Sequence, residues 1–307
     1  MKQEKFAPEG IYCAMCTPYN RSGAVDYEAI YQIIDFLVDK GVNGVFPVGN
    51  IGEFIALDMD VKKRIIAAVI ERGRGKLRII PGINDFEVDR SIELARFCKE
   101  VGADGVVLSA PYYYSYPVKY IHQYITTVAD ACPLSLVLYN SPSFTNNIEF
   151  ENLIAICRHG NITAIKESSG DLKFLLKLAK RLEDENLGIK ILMGWDELVL
   201  SGLAYGASGC IIATGGIVPE ILIKLYHAYK SNDYRTALHC QKAVATIAEA
   251  AMKLGLPHGY KLAVLARGFQ FNIYPGTALQ DLEEELQSNL QNMQSLIDKQ
   301  LRVTGCK

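Results

Sequence analysis

Net charge is almost absent from this sequence. Its 32 basic and 34 acidic residues leave −2, which argues against nucleic acid or an anionic membrane as the main partner. The N-terminus has no apolar run of signal-peptide length before Pro8, Glu9 and Gly10, so a cytoplasmic protein is expected. Also missing are a paired-cysteine framework and a second C-x-x-C. The eight cysteines (Cys13, Cys16, Cys98, Cys132, Cys157, Cys210, Cys240 and Cys306) are scattered, mostly within apolar stretches, as small hydrophobes are in a reducing compartment. Cys13 and Cys16 do form one C-x-x-C, but Gly10 to Thr17 reads as a short β segment. Residues three apart in a strand point to opposite faces, so these two thiols are not expected to share a metal, and no metal site is predicted. No G-x-G-x-x-G follows a strand and no G-x-x-x-x-G-K-[ST] occurs, which weakens a nucleotide-binding doubly wound sheet without excluding that topology. Leu198 to Pro219 is free of charge and long enough to span a membrane. Five glycines, two serines and Pro219 should break it into helix, turn, strand and loop.

What is present is a regular alternation. A chain of 307 residues suggests two domains at about 150 residues each, although α/β barrels of about 250 residues form one. It can bury roughly three quarters of its unfolded surface without staples. Strand-like runs occur at Gly10–Thr17, Gly44–Val48, Arg78–Pro81, Gly105–Ser109, Leu134–Tyr139, Ile162–Lys166, Ile189–Met193 and Gly209–Ala213. Their spacing of about 25–30 residues is that of one βα unit. Helical patterns lie between them. Ile30, Ile33, Ile34, Leu37 and Val38 make one apolar stripe, with Asp26 as N-cap and Gly41 after the end. Val61, Ile65 and Val69 follow Asp58, and Val88, Ile92 and Ala95 run toward Gly102. The last stretch is helical only. Its final helix is expected to open on a T-x-x-Q capping box at Thr277 and Gln280 and to carry the stripe Leu279, Leu282, Leu286, Leu290, Met293 and Ile297. The fold expected is α/β, a (β/α)8 TIM barrel over residues 1–230, with a C-terminal helical extension over 231–307 packed on it.

In such a barrel the chemistry sits at the C-terminal ends of the strands. Strand 6 ends in Ile165-Lys166-Glu167-Ser168-Ser169-Gly170-Asp171, and Ile162, Ala164 and Lys166 should share its inner face. Burial disfavours the charged amine, which would make Lys166 a nucleophile toward a carbonyl. The plainer reading is a surface lysine paired with Glu167 or Asp171. Strand 5 ends in Tyr139-Asn140-Ser141-Pro142, with leucines on the opposite face. Tyr139 should therefore point inward beside Lys166, as a proton shuttle or as a core tyrosine. After strand 2, Gly49-Asn50-Ile51-Gly52-Glu53 could turn backbone N–H groups toward an anion. After strand 4 comes a tyrosine-dense loop, Pro111 to Pro117, either a site wall or an ordinary surface loop.

Five motifs follow one another in order: G-x-x-G-E (Gly49–Glu53), P-Y-Y (Pro111–Tyr113), Y-N-x-P (Tyr139–Pro142), I-K-x-x-x-G-D (Ile165–Asp171) and G-x-D-E (Gly194–Glu197). Together they resemble the dihydrodipicolinate synthase / N-acetylneuraminate lyase family of pyruvate-dependent class I aldolases, over roughly Gly10 to Ile217. The resemblance implies a Schiff base between Lys166 and pyruvate, with Tyr139 as proton carrier and no other cofactor. It further implies that the Gly49–Gly52 loop holds the pyruvate carboxylate and that Tyr113 reaches a neighbouring subunit's site in a homotetramer. Ser168, Gly194, Asp196, Glu197 and Ile211 are counted with Gly49, Asn50, Ile51, Gly52 and Phe144 as substrate-binding positions.

The departures bear on which member this is. Asn50 and Ile51 stand where the family usually carries two hydroxyl residues. Phe144 stands where dihydrodipicolinate synthases carry an arginine, and a phenyl ring cannot grip a carboxylate bidentately. The run Gly194-Trp195-Asp196-Glu197 is closer to the lyases, whose Asp and Glu accept bonds from sugar hydroxyls. Asp196 and Glu197 also suit an N-cap pair, and Ala213 lacks the hydroxyl those lyases carry on strand 8. The expected activity is an aldolase or lyase joining pyruvate and an aldehyde into a 2-keto-3-deoxy sugar acid or related 2-oxo acid, or splitting one. The alternatives are 4-hydroxy-tetrahydrodipicolinate synthase and, more remotely, a non-catalytic keto-acid sensor. Neither nucleic acid nor membrane is an expected partner.

Overall fold

A computed structural model describes residues 5–275 and 283–306. Eight parallel strands, β1 (Gly10–Ala14), β2 (Gly44–Phe46), β3 (Arg78–Ile79), β4 (Val106–Ser109), β5 (Leu136–Asn140), β6 (Ile162–Glu167), β7 (Lys190–Met193) and β8 (Gly209–Ile212), lie in the order β3-β2-β1-β8-β7-β6-β5-β4. The ring closes between β3 and β4. There Val107 N–H donates to Pro81 O at 2.9 Å and Ile83 N–H to Val107 O at 3.0 Å. Helices α1 (Tyr27–Lys40), α2 (Met59–Gly73), α3 (Val88–Val101), α4 (Val118–Ala131), α5 (Phe150–Cys157), α6 (Leu172–Asp184), α7 (Val199–Ala204) and α8 (Pro219–Lys230) alternate with the strands. This is the (β/α)8 barrel that the alternation predicts. The extension adds α9 (Tyr234–Lys253), α10 (His258–Leu265) and α11 (Glu283–Thr304).

Strand alternation builds two cores. Tyr12, Phe46, Ile80, Val107, Val137, Leu192 and Ile211 fill the barrel interior, while Ile11, Val45, Leu136, Leu138 and Ile191 face the helices. The first helix forms as its pattern predicts. Asp26 accepts from Ala29 N–H at 3.0 Å, and Gly41 adopts a left-handed φ of 77°. The Gly41 N–H then closes onto Leu37 O and Val38 O, satisfying carbonyls that the helix end would otherwise leave bare. Asp58 precedes α2 without a side-chain capping bond, and α3 ends at Gly102, φ 96°.

Two expectations are corrected. Ile162 does not share a face with Ala164 and Lys166: pairing steps from Leu136↔Ile162 to Val137↔Ala164, leaving Thr163 unpaired. One extra residue reverses the alternation, so Ile162 packs outward while Ala164 stays inside. Cys16 lies beyond the end of β1, where period-two alternation no longer applies. It joins Cys13 in the outer core instead of facing away from it. The charge-free stretch resolves, as its glycines predict, into α7, β8 and a short 3-10 turn at Thr214–Gly216, just after a 3-10 turn at Asp196–Leu198. Among the described residues no helix is long and apolar enough to cross a membrane.

The extension is stitched to the barrel. On α9, Gln241 Oε1 accepts from Leu200 N–H at 2.8 Å while its amide donates to Asp196 O at 2.9 Å. Met293, Ile297 and Leu301 of α11 are buried. The Thr277/Gln280 capping box, Leu279 and Leu282 lie outside the described residues.

Candidate active site

Lys166 ends the inner face of β6 and is 4% exposed. Its register partner across β5 is Tyr139. The amine lies 4.1 Å from the Tyr139 ring centroid and 4.9 Å from that of Phe46. It is not paired with its acidic neighbours. Glu167 faces the other way, accepting from Asn140 Nδ2 and Ser169 N–H, each at 2.6 Å. Burial holds the Glu167 carboxyl above its ordinary range. Asp171 is spent as the N-cap of α6. The surface ion-pair reading of Lys166 is thus excluded by side-chain direction.

Around the lysine opens a cleft of about 580 Å³. Of the residues singled out in the sequence, Lys166, Tyr139, Asn50, Ile51, Phe144, Ser168, Gly194, Asp196 and Ile211 line it. Gly194 must lack a side chain: a Cβ there would fall 1.8 Å from Ser168 Oγ and 3.1 Å from Lys166 Cε. Ser168 Oγ is buried, faces the cleft and has no protein partner, so it is available to a ligand. Gly49 and Gly52 lie behind the lining. A Cβ on Gly49 would meet the Phe46 ring at 2.5 Å, and one on Gly52 would meet Met15 O at 3.1 Å. The turn they allow is flanked by Val48 and Glu53, both at a left-handed φ of 56°. Beneath it Glu53 pairs with the fully buried Lys261 of α10.

Asp196 lines the cleft, but the N-cap role is not the one it takes. It makes no capping bond at its turn. Instead Oδ1 accepts from Thr214 N–H at 2.8 Å and from Thr214 Oγ1 at 2.5 Å, and Oδ2 accepts from the Tyr260 hydroxyl at 3.4 Å. Burial raises its carboxyl above the usual range, against the pull of Thr214 and of the Lys166 charge. Glu197 does not line the cleft. Burial raises its carboxyl as well. Tyr113 is 84% exposed, at φ 68°, and does not line this cleft.

Sequence reasoning did not assign Phe46, Trp195, Met252, Leu256 and Tyr260 to the site, and they also line the cleft. Trp195 sits inside the G-x-D-E motif and fixes the loop after β6, its indole N–H donating to Ser168 O at 2.9 Å. The last three come from the helical extension. Helical periodicity shows which face of α9 or α10 is apolar, not which end overhangs the barrel mouth. Among the described residues no three His, Cys, Asp or Glu side chains gather as a metal-binding group.

The profile of the Dihydrodipicolinate synthetase family matches residues 7–296. The chain belongs to this family. Among its relatives, the 4-hydroxy-tetrahydrodipicolinate synthase of Pelobacter propionicus is 32% identical over 243 residues, covering 79% of this chain and 82% of that one. The dihydrodipicolinate synthase structure from Aquifex aeolicus superposes with a TM-score of 0.85 at 26% identity, covering 95% and 98% of the two chains. The N-acetylneuraminate lyase of Mycoplasma synoviae shares the fold, with TM-score 0.84, 22% identity and coverage of 94% and 97%. As a member of the Dihydrodipicolinate synthetase family, the chain is a class I aldolase-type carbon–carbon lyase of a pyruvate-dependent family. Both the synthase and lyase branches are compatible with these matches.

Proposed function

We propose that Lys166 forms an imine with pyruvate and that the chain makes or breaks the bond between pyruvate C3 and an aldehyde carbon. The observation that carries this is a buried lysine without an acidic partner, seated against Tyr139 in a cleft that gathers residues of four of the five motifs. The amine adds to pyruvate C2 and water leaves. Loss of a C3 proton gives the enamine, whose C3 attacks the aldehyde carbon while the aldehyde oxygen takes a proton. Hydrolysis then releases a 4-hydroxy-2-oxo acid and restores Lys166. Cleavage is the reverse. Tyr139 is the proton carrier in both directions. The backbone of the Gly49–Gly52 turn, with Asn50 and Ser168, holds the pyruvate carboxylate. No metal is required, because the iminium itself takes up the electron pair.

A 2-keto-3-deoxy sugar acid or a related 2-oxo acid fits the absence of a cation from Phe144. The second reading, 4-hydroxy-tetrahydrodipicolinate synthase, is supported by the name of the Pelobacter relative. It would need some other group to hold the second carboxylate. Exposed Tyr113, Tyr114 and Tyr120 support a subunit interface in a homotetramer, through which Tyr113 would enter a neighbour's cleft. Borohydride reduction with pyruvate, followed by mass spectrometry, tests the central claim. Pyruvate-derived mass on the Lys166 peptide is expected. An unmodified Lys166 would overturn it. Trapping without turnover of any aldehyde would favour the keto-acid sensor.

A further inference from the structure

We infer that the aldehyde taken by this cleft has an apolar tail, and that Tyr260 and Phe144 set that preference. The inference rests on pyruvate binding at Lys166 and, of the two product classes proposed there, selects a related 2-oxo acid with an apolar tail over the sugar acid. The lining divides by chemistry. Around the lysine lie Tyr139, Ser168 and Asn50, the groups that a keto acid would use. The remaining wall includes Ile51, Phe144, Trp195, Ala213, Met252 and Leu256. Phe144 and Met252 are 48% and 37% exposed, so these two stand at the mouth, where an incoming aldehyde places its tail.

The polar groups that could serve a hydroxylated tail are already engaged. Asp196 Oδ1 accepts two bonds from Thr214, and Oδ2 is turned toward the Tyr260 hydroxyl. A carboxylate has about four acceptor positions, so about one remains for a ligand. The Trp195 N–H is used by Ser168 O. Lys166 is the one cation among the described lining residues, and it is consumed by the imine. A tail carrying several hydroxyls or a carboxylate would therefore be desolvated against hydrocarbon with about one partner to share, which is costly, while an apolar tail gains from the same wall. Tyr260 acts on specificity by occupying Asp196: its phenol takes the place that a substrate hydroxyl would hold.

The test uses the full chain, saturating pyruvate and four aldehydes: butyraldehyde, benzaldehyde, glyceraldehyde and aspartate semialdehyde. We expect kcat/KM for butyraldehyde or benzaldehyde to exceed that for glyceraldehyde and for aspartate semialdehyde by about 10-fold or more. Tyr260→Phe uncovers Asp196 Oδ2 and should move the glyceraldehyde-to-butyraldehyde ratio toward glyceraldehyde by about 10-fold. Phe144→Arg should move it toward aspartate semialdehyde. A merely structural role for either residue would lower all four alike and leave the ratios unchanged, which overturns its assignment. Equal or better use of glyceraldehyde or aspartate semialdehyde by the native enzyme overturns the inference. Borohydride trapping runs on the same samples. If Lys166 traps no pyruvate, the imine reading falls and this one with it. If it traps pyruvate while the polar aldehydes win, only the apolar preference falls.

Discussion

Removing the Lys261 ammonium should be among the most damaging single changes in this protein. Lys261 is fully buried on α10, and its amine is held by three segments distant in sequence. It pairs with Glu53 at the end of the G-x-x-G-E turn, donates to Ile273 O at 2.9 Å, and lies 4.1 Å from the Tyr19 ring centroid. Burial lowers the lysine's affinity for its proton, and Glu53 offsets part of that loss. Lys261→Met keeps the volume of the stem but leaves the Glu53 carboxylate, its side chain 11% exposed, without its counter-charge. Breaking one side of a buried pair costs about 3–5 kcal/mol, whereas replacing both sides by uncharged groups is often close to neutral. Lys261→Met should thus lower the unfolding free energy by that amount, read as a fall in the urea midpoint at constant slope. Lys261→Met with Glu53→Leu should recover most of the loss. The turn that presents Asn50 and Ile51 to the cleft should loosen in the single variant, raising KM for pyruvate more than it lowers kcat. A single variant within about 1 kcal/mol of the native protein, or a double variant no better than the single, would refute the counter-charge argument.

Three other outcomes follow from the same coordinates. Gly194→Ala places a methyl group on Ser168 Oγ and Lys166 Cε, so pyruvate trapping by borohydride should fall sharply while the far-ultraviolet spectrum is kept; undiminished trapping would show that the loop yields. Seven of the eight cysteines are buried and Cys306 alone is partly open. Burial pushes the thiols of Cys16 and Cys240 up to about 11 and that of Cys157 to about 12, so a thiol reagent at pH 8 should label one site quickly. Cys306→Ser should abolish that phase; rapid labelling of Cys13 or Cys16 would contradict the burial. Burial lowers the His258 pKa below 6.5, so its contribution to stability is present above that value and lost as pH falls through the folded pKa. His258→Gln should flatten the fall of the urea midpoint as pH drops below about 6.5, and an unchanged slope there would assign the effect elsewhere.

The sequence by itself determined the barrel, because its information is local. Each strand announces itself by an apolar run, each helix by a stripe repeating every three to four residues, and Asp26 and Gly41 punctuate the first helix through bonds to their own neighbours. It also determined Lys166 and Tyr139, since period-two alternation fixes which side of a strand faces inward. That logic fails where a single residue breaks the period, as at Thr163, or where a strand ends early, as before Cys16. Tertiary structure alone decided what Asp196 does, because its partners Thr214 and Tyr260 lie 18 and 64 residues away. The same holds for the outer wall of the cleft, which borrows Met252, Leu256 and Tyr260 from the extension. A carboxylate's acceptors are filled by whatever donors the fold brings near, and those donors leave no periodic mark in the chain.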